Sequence, residues 1–263
     1  MITFFTTCKD FSGLTKIHQY NALRSWRQIF PDAEILIFGK EEGIQEIAEE
    51  IEASRFLSDL NYEPGETPCV NELFSQAHER SWGEWLCYIN ADIIVTSSFK
   101  QAIRQVQRFQ KNQGWANCLM IGQKWDVILD KEIQFDKPDW ESKLITSAKK
   151  QGRPHFRNGK GYGVDYFFYR RAGLWKKIPP FLIHRLWWDT FLPWYAIHAK
   201  EIPVLDATKL ALVIHPLHSK PKPPVDEVRR NQSLAGGHRM YCCDVPWVVT
   251  PNKCLMRQFQ KEI

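Results

Sequence analysis

The amino-acid sequence predicts an α/β domain built around a mostly parallel β-sheet. Short runs of β-branched and aromatic residues have the composition of buried strands, and segments with apolar residues at helical spacing follow them. The two kinds of segment alternate through the first half of the chain, which favours parallel strands joined by right-handed helical crossovers. A chain of 263 residues with no internal repeat fits one such domain.

The first half of the chain contains most of the regular elements. A β-branched and aromatic run opens it, and helical spacing then continues until Pro31 and Asp32 end the first helix. A loop rich in Pro and Gly covers residues 62–68. The predicted strands are 2–7, 34–38, 85–89 and 118–121, and the predicted helices are 14–30, 41–52, 70–80 and 98–110.

The second half of the chain is less regular. Between residues 125 and 160 the pattern becomes polar and aromatic, which is typical of a lid over a substrate site, and 157–163 is a glycine-rich loop. The regular elements predicted beyond it are a strand at 164–170, a helix at 188–200 and a last core strand at 210–214.

The composition limits the functional classes. Lys and Arg outnumber Asp and Glu by 35 to 30, a net charge of +5 that suits phosphorylated substrates but falls short of the basic stripe of a nucleic-acid binder. We therefore expect no nucleic-acid partner. Seven scattered cysteines without a CxxC pair, and an N-terminus without a basic leader, are typical of a cytoplasmic protein. No segment has the length of a transmembrane span.

Two groups of polar residues come directly after predicted strands. Asp92 follows the strand 85–89, and His215 and His218 follow the strand 210–214. Ligands bind at the carboxyl ends of strands in open α/β sheets, and two imidazoles with a carboxylate suit a divalent cation. Two simpler explanations stay open, because the Asp can cap the next turn and the histidines can be hydrogen-bonded structural residues.

Two further acids are candidates. Asp189 opens the helix 188–200, where a capping carboxylate stabilises a helix by about 1 kcal/mol, or where it can accept a proton from a hydroxyl group. Asp165 follows Gly161 and Gly163, whose small size lets the backbone approach a ligand closely. An ordinary edge strand with a hydrogen-bonded Asp is the alternative for this segment.

The order of these motifs resembles that of a known family. The chain has Thr6-Thr7 after the first strand, Tyr88-Ile89-Asn90-Ala91-Asp92, Val164-Asp165-Tyr166-Phe167, Trp187-Trp188-Asp189 and His215-Pro216-Leu217-His218. This order resembles that of the bacterial GT-A glycosyltransferases, especially their family-2-like branch, over roughly residues 2–218. The resemblance implies a GT-A fold, a Rossmann-like three-layer α/β/α sandwich with a mostly parallel central sheet.

The resemblance also implies a reaction and its site. The donor would be a nucleotide diphosphate sugar, and the acceptor would be a hydroxyl group of a glycan or glycoconjugate. Asp189 would act as the catalytic base, and Asp165 would lie near the transferred sugar. A divalent cation, Mn or Mg, would bind to Asp92 with His215 or His218. The residues that would bind the nucleotide sugar are Thr6, Thr7, Lys9, Asn90, Ala91 and Asp92.

The same resemblance divides the chain. We expect the GT-A domain to cover residues 1–220, with the donor-binding half near 1–121 and the acceptor half near 122–220. A proline-rich loop at 219–224 cannot pack regularly, because proline lacks a backbone donor. We expect residues 221–263 to form a tail with helical pieces packed on the domain.

Asn90 departs from the stricter motif of the family, which has an aspartate there. Asparagine contributes no charge, so transfer without a metal, with Lys9, Arg170 or Arg185 neutralising the diphosphate, stays an alternative. A non-catalytic nucleotide-sugar or carbohydrate-binding module on the same fold is another. A nucleotidyltransferase is a third, although its glycine-rich signature does not follow the first strand. The GxGxxG and GxxxxGK[ST] motifs are also absent.

Overall fold

A computed structural model describes residues 1–53, 55–57, 67–151, 153–154, 156–157, 160–161, 163–171, 174–175, 177–219 and 222–257. Parts of the predicted loops at 62–68, 157–163 and 219–224, and the end of the tail at 258–263, lie outside the described residues.

The described residues form fifteen strands and seven α-helices. The strands are β1 (Ile2–Thr7), β2 (Glu34–Phe38), β3 (Arg55–Leu57), β4 (Trp85–Ile89), β5 (Ile94–Val95), β6 (Leu119–Gly122), β7 (Trp125–Val127), β8 (Arg153–Pro154), β9 (Phe156–Arg157), β10 (Lys160–Gly161), β11 (Tyr166–Arg170), β12 (Val204–Asp206), β13 (Val213–Pro216), β14 (Trp247–Val249) and β15 (Cys254–Met256). The helices are α1 (Gly13–Ile29), α2 (Ile44–Glu50), α3 (Val70–Arg80), α4 (Ser97–Asn112), α5 (Trp140–Gln151), α6 (Trp188–His198) and α7 (Val225–Ala235).

The central sheet has nine strands in the order β15-β14-β12-β6-β11-β4-β1-β2-β3. Seven of them run in one direction, while β11 and β15 are antiparallel to their neighbours. The predicted mostly parallel sheet is therefore confirmed. The reversed strand β11 lies in the middle, between β4 and β6, so its first residue is at the edge where its neighbours end.

Helices cover both faces of this sheet. Successive strand residues point to opposite faces, so Phe4 packs in a core with Trp26 of α1 and Phe99 of α4. Phe5 packs on the other face, in a core with Phe74 of α3 and residues of α6. The predicted three-layer α/β/α sandwich is therefore confirmed.

A second sheet stands beside the carboxyl edge of the first. Its four strands are ordered β5-β13-β7-β8, and α5 packs on it through Leu144 and Ala148 against Val127 and Ile214. The strand predicted at 210–214 is β13, and it belongs to this small sheet and not to the central one. The small sheet also explains the irregular sequence pattern at 125–160, because its short strands need only short apolar runs.

One buried face of α1 holds the chain segments of the small sheet. Asn21 donates its amide to the carbonyl oxygen of Lys131 (2.9 Å) and accepts the backbone N–H of Ile133 (2.8 Å). Ser25 accepts the N–H of Val95 at 3.0 Å. Residues three and four apart share one face of a helix, so α1 has a polar stripe where an ordinary core helix would be apolar.

The C-terminal tail is part of the sandwich. It contributes α7, a 3₁₀ turn at Cys242–Asp244, and the strands β14 and β15 at one edge of the central sheet. Arg257 beyond β15 donates to the Asp206 carboxylate at the end of β12 (2.8 Å). The tail therefore holds strands as well as the expected helical piece, and the domain boundary at 220 stays a prediction. Across the described residues, no helix combines the length and the apolar character needed to cross a bilayer.

We predict that Asn21→Ala lowers the free energy of unfolding by roughly 1–3 kcal/mol, because two backbone groups lose their partner at a buried position. Urea denaturation measures the change. Gln28→Ala, at an exposed position of the same helix, is the control and should stay within about 0.5 kcal/mol of the unmodified protein. Equal losses in the two variants would contradict the role of the polar stripe.

Candidate functional site

Polar residues meet where the chain crosses from the central sheet to the small one. The β4–β5 crossover carries Asp92, and the β6–β7 crossover carries Lys124. Asp165 comes directly before β11, whose first residue, Tyr166, lies opposite the last residues of β4 and β6. The two crossovers and the start of the reversed strand therefore bring these three charged side chains to the same edge.

The turn between β4 and β5 is fixed by hydrogen bonds. The backbone N–H of Ile93 donates to the carbonyl oxygen of Asn90 (3.0 Å), and the Trp26 indole donates to that of Ile93 (2.8 Å). The Tyr88 hydroxyl donates to the Asn90 side-chain oxygen at 2.7 Å. Asp92 thus lies in a turn whose backbone and neighbouring side chains have defined partners.

Asp92 faces two histidines. Its Oδ2 is 3.5 Å from Nε2 of His215 and 3.4 Å from Nε2 of His218, and the three residues place ligand atoms within 4.8 Å of one another. Nδ1 of His215 is 2.8 Å from the Asp126 carboxylate, and Nδ1 of His218 is 3.1 Å from the Ser219 carbonyl oxygen. Since these partners accept hydrogen bonds, each Nδ1 carries a proton.

This arrangement fits a divalent cation. With Nδ1 protonated, the lone pairs of both Nε2 atoms face the Asp92 carboxylate, so three electron-rich atoms converge. Nε2 of His215 is buried and has no hydrogen-bond partner among the residues that the structure describes. A metal-ligating imidazole usually donates the N–H of its other ring nitrogen to a carboxylate or carbonyl group, as Nδ1 of His215 does to Asp126. Asp92, His215 and His218 can therefore hold the cation.

The charges around this group favour an ionised Asp92. Although burial alone would raise it, the neighbouring side chains of His215, His218 and Lys124 hold the pKa of Asp92 well below its usual value. A third imidazole, that of His18 on α1, has its ring centroid 6.1 Å from that of His218. Burial lowers the pKa of His18, whose Nε2 donates to the Leu129 carbonyl oxygen at 2.9 Å, so this histidine is neutral near pH 7.

Asp165 is paired with a buried lysine. Its Oδ1 is 3.4 Å from the Lys124 ammonium, and its Oδ2 accepts the Lys124 backbone N–H at 3.0 Å. Burial opposes the charge of Lys124, but the carboxylates of Asp165, Asp92 and Asp126 together raise its pKa. A cation is thus built into the site between three acids.

Asp189 lies in the first turn of α6, partly buried. Burial and the nearby charge of Asp165 raise its pKa to about 6, although backbone N–H groups, including those of Thr190 and Val164, stabilise the charged form. The charges of Asp92, Asp189 and Asp165 all act on the Tyr88 hydroxyl, and with burial they raise the pKa of Tyr88. The three acids therefore all lie near the Tyr88 side chain.

A cleft of about 420 Å³ opens beside this group, at the carboxyl ends of β1 and β2. Cys8 connects the two regions, because it lines the cleft and the charge of Asp92 acts on its thiol. The buried Gln19 side chain forms two hydrogen bonds with the backbone of Lys9: it donates to the carbonyl oxygen and accepts from the N–H. The residues lining the cleft are Thr7, Cys8, Lys9, Asp10, Lys40, Glu41, Thr67, Pro68, His184 and Arg185.

Some predicted residues lie outside the cleft. The side chain of Thr6 is fully buried and donates to the carbonyl oxygen of Thr7, and Ala91 is also buried. Arg170, considered for diphosphate binding, was a wrong candidate. It ends the reversed strand β11, opposite the first residue of β4, and pairs with Glu84 at the far edge of the sheet.

The sequence reasoning missed several residues of this edge. Lys124 comes two residues after β6, much as Asp92 comes after β4, so the same strand-end rule points to it. Lys40 follows β2 in the same way. Asp126 lies inside the short strand β7, where that rule gives no signal. His18 carried no such signal, because it lies within a helix.

We predict that Asp126→Asn weakens Mn²⁺ binding roughly 10- to 100-fold, because the supporting carboxylate of His215 loses its charge. Calorimetric titration of the protein with manganese chloride measures this affinity. Asp136→Asn, an exposed acid of the same segment, should leave the affinity unchanged. Equal affinities for the unmodified protein and the Asp126→Asn variant would contradict the assignment.

No protein-family model matches this chain, and no curated protein matches it. Among solved structures, glucosyl-3-phosphoglycerate synthase of M. tuberculosis is 13% identical, with a TM-score of 0.50 over 90% of this chain and 81% of that one. A complex of the same synthase with Mg²⁺ and uridine diphosphate is 12% identical, with a TM-score of 0.50 over 90% and 79%.

S. aureus TarS 1-349 is 10% identical, with a TM-score of 0.36 over 48% of this chain; the match spans about a third, 36%, of the TarS fragment. At these identities the likeness concerns the fold. The likeness to the synthase confirms the expected fold: this chain has a GT-A, Rossmann-like α/β fold.

Proposed function

We propose that the protein is a glycosyltransferase that moves a sugar from a nucleotide diphosphate sugar to a hydroxyl group of a glycan or glycoconjugate. The observation that carries the proposal is the occurrence, at one edge of the sheet, of a group that could bind a cation, an acid with a raised pKa and a cleft lined by lysine and arginine side chains. A ligand-binding cleft at the carboxyl ends of the strands is where this class of fold binds its ligands.

The cleft has the chemistry for a nucleotide diphosphate. Lys9, Lys40 and Arg185 supply positive charge at its wall, which also contains the acids Asp10 and Glu41, and Thr7 supplies a hydroxyl group. Arg185 is oriented by the Glu227 carboxylate, which keeps its planar guanidinium in a fixed direction. The synthase complexed with Mg²⁺ and uridine diphosphate has a similar fold, which supports a nucleotide ligand here too.

Asp92, His215 and His218 would hold the divalent cation next to the diphosphate. The bound cation would stabilise negative charge on the leaving group as a Lewis acid. Two imidazoles and one carboxylate favour Mn²⁺ over Mg²⁺, because Mg²⁺ prefers oxygen ligands. Asn90 keeps its side-chain oxygen on the Tyr88 hydroxyl, so it serves to shape the turn and not as a charged ligand.

The remaining acids have distinct tasks. Asp189 accepts the proton of the acceptor hydroxyl, since a pKa of about 6 lets it be ionised at pH 7 and still basic enough to take a proton. Asp165 forms an ion pair with Lys124 and places a negative charge beside the transferred sugar. The glycosyl centre develops positive charge as the bond to phosphate breaks, and these carboxylates stabilise it.

Two other functions make different products. A nucleotidyltransferase releases pyrophosphate from a nucleoside triphosphate and a sugar phosphate, and a binding module on the same fold releases nothing. We also propose a cytoplasmic location, which rests on cysteines that form no disulfide and are mostly buried.

We predict that the protein with Mn²⁺ releases nucleoside diphosphate from one member of a panel of UDP-, GDP-, dTDP- and CMP-linked sugars, or nucleoside monophosphate in the CMP case. Asp92→Asn should reduce this release at least about 100-fold, because the cation loses its charged ligand. Asp136→Asn is the exposed control. Pyrophosphate release from nucleoside triphosphates, or binding of a nucleotide sugar without turnover, would contradict the proposal.

We predict that kcat/KM falls about tenfold per pH unit below pH 6 and levels off above it. The pKa of Asp189 is about 6, and its protonated form cannot accept the acceptor proton. Asp189→Asn should lower kcat by roughly 100- to 10,000-fold and remove this acid limb, while the thermal shift with donor stays. Normal turnover by this variant, or a flat profile between pH 5 and pH 7 for the unmodified protein, would make the base assignment wrong.

A further inference from the structure

A loop after α7 packs beside the segments that carry Asp165 and Asp189. The loop begins at Gly236 and Gly237, whose φ angles of 57° and 78° reverse the chain. Its Met240 N–H donates to the carbonyl oxygen of Thr190, next to Asp189, at 2.8 Å. Its Cys242 thiol is 3.6 Å from the carbonyl oxygen of Gly163. The loop therefore contacts the segments that carry Asp189 and Asp165.

An exposed arginine of this loop is placed on a tryptophan. The Arg239 guanidinium carbon lies 3.6 Å from the ring centroid of Trp187, and one of its nitrogens donates to the Tyr241 hydroxyl at 3.3 Å. Within the described part of the chain, no carboxylate lies within ion-pair distance of Arg239. Other arginines differ, since Arg24 and Arg257 each bond an acid.

The tryptophan below it is held in an unusual backbone conformation. Trp187 has a φ of 90°, a region that favours glycine, and it directly precedes the first turn of α6. Its ring is partly buried against the core that contains Trp188 and Phe191. Backbone strain of this kind persists where the surroundings fix the residue, often at a binding site. The ring is therefore a fixed support for the guanidinium, two residues from Asp189.

We infer that Arg239, supported by Trp187, binds an anionic group of the acceptor, either a carboxylate or a phosphate. This inference rests on the proposed glycosyltransferase function and names its acceptor class: an acidic sugar or sugar phosphate. A guanidinium forms paired hydrogen bonds to either anion, and stacking on an indole leaves its N–H edge available. Asp165 and Asp189 repel an anion at the reaction centre, so a cation at the wall places the anionic group away from them.

Matched probes test the inference. Methyl glucuronide is compared with methyl glucoside, and glucose 6-phosphate with glucose, as acceptors for the active donor and as ligands in calorimetry with the nucleoside diphosphate and Mn²⁺. The charged member of at least one pair should have a kcat/KM and an affinity about tenfold or more higher. The pair that shows the preference identifies the anion as carboxylate or phosphate.

Substitutions then assign the preference to one residue. Arg239→Gln should bring the charged-to-neutral ratio close to one, and Arg239→Lys should keep part of it, because lysine retains charge without the planar fork. Arg108→Gln removes an exposed charge from α4, on the other layer, and should leave the ratio unchanged. Melting temperatures show that each variant is folded.

The outcomes separate this inference from the proposed function. Turnover or binding without preference in either pair, or a preference that survives Arg239→Gln, overturns the anion site. Preferential binding that depends on Arg239, without turnover of any nucleotide sugar, supports the anion site and contradicts the glycosyltransferase.

Discussion

The site depends on the hydrogen bonds by which α1 fixes the small sheet against the central one. Trp26 and Ser25 hold the β4–β5 crossover, and Asn21 holds the segment after β7. Asp92 belongs to one crossover, while His215 belongs to a strand of the small sheet. The distance of 3.5 Å between Asp92 Oδ2 and His215 Nε2 therefore depends on how the two sheets pack together. Loss of any of these α1 hydrogen bonds would leave a buried polar group without a partner, and the free-energy cost would destabilise the junction between the sheets.

The second organising feature is the different environment of two neighbouring acids. The side chains of His215, His218 and Lys124 lower the pKa of Asp92, whereas burial and the like charge of Asp165 raise the pKa of Asp189. Pairs of carboxyl groups whose pKa values are pushed apart in this way divide the tasks of charge stabilisation and proton transfer. Lys124 makes the division possible, because its buried ammonium offsets part of the repulsion among the acids.

Local patterns predicted much of the fold and part of the site. The predicted bounds of the strands at 2–7, 34–38 and 85–89 agree with the observed ones, because each is a short run rich in β-branched, aromatic and aliphatic residues that is buried on both faces. Strand direction does not appear in such a pattern. The reversal of β11 places Asp165 at the candidate site and Arg170 at the far edge, and only the structure shows it. His18 and Asn21 were not predicted, because helical periodicity identifies the buried face of a helix by its apolar residues. These two side chains are polar and are buried through hydrogen bonds to residues far along the chain.

The absence of an acid at Asn90 has an electrostatic consequence. With two neutral imidazoles and one carboxylate, a bound divalent cation keeps a larger share of its charge than it would between two aspartates. In the proposed reaction that charge would act on the diphosphate, the group that becomes more negative as the sugar leaves. One carboxylate would attract the cation less strongly than two would. The imidazole lone pairs would offset this difference, above all that of the buried Nε2 of His215, which has no hydrogen-bond partner among the described residues. Asn90, by receiving the Tyr88 hydroxyl, keeps the turn in shape without adding a further negative charge beside Asp92. In the proposed site the histidines at the end of β13, where Asp126 supports His215, would therefore contribute more to holding the cation than the end of β4 does.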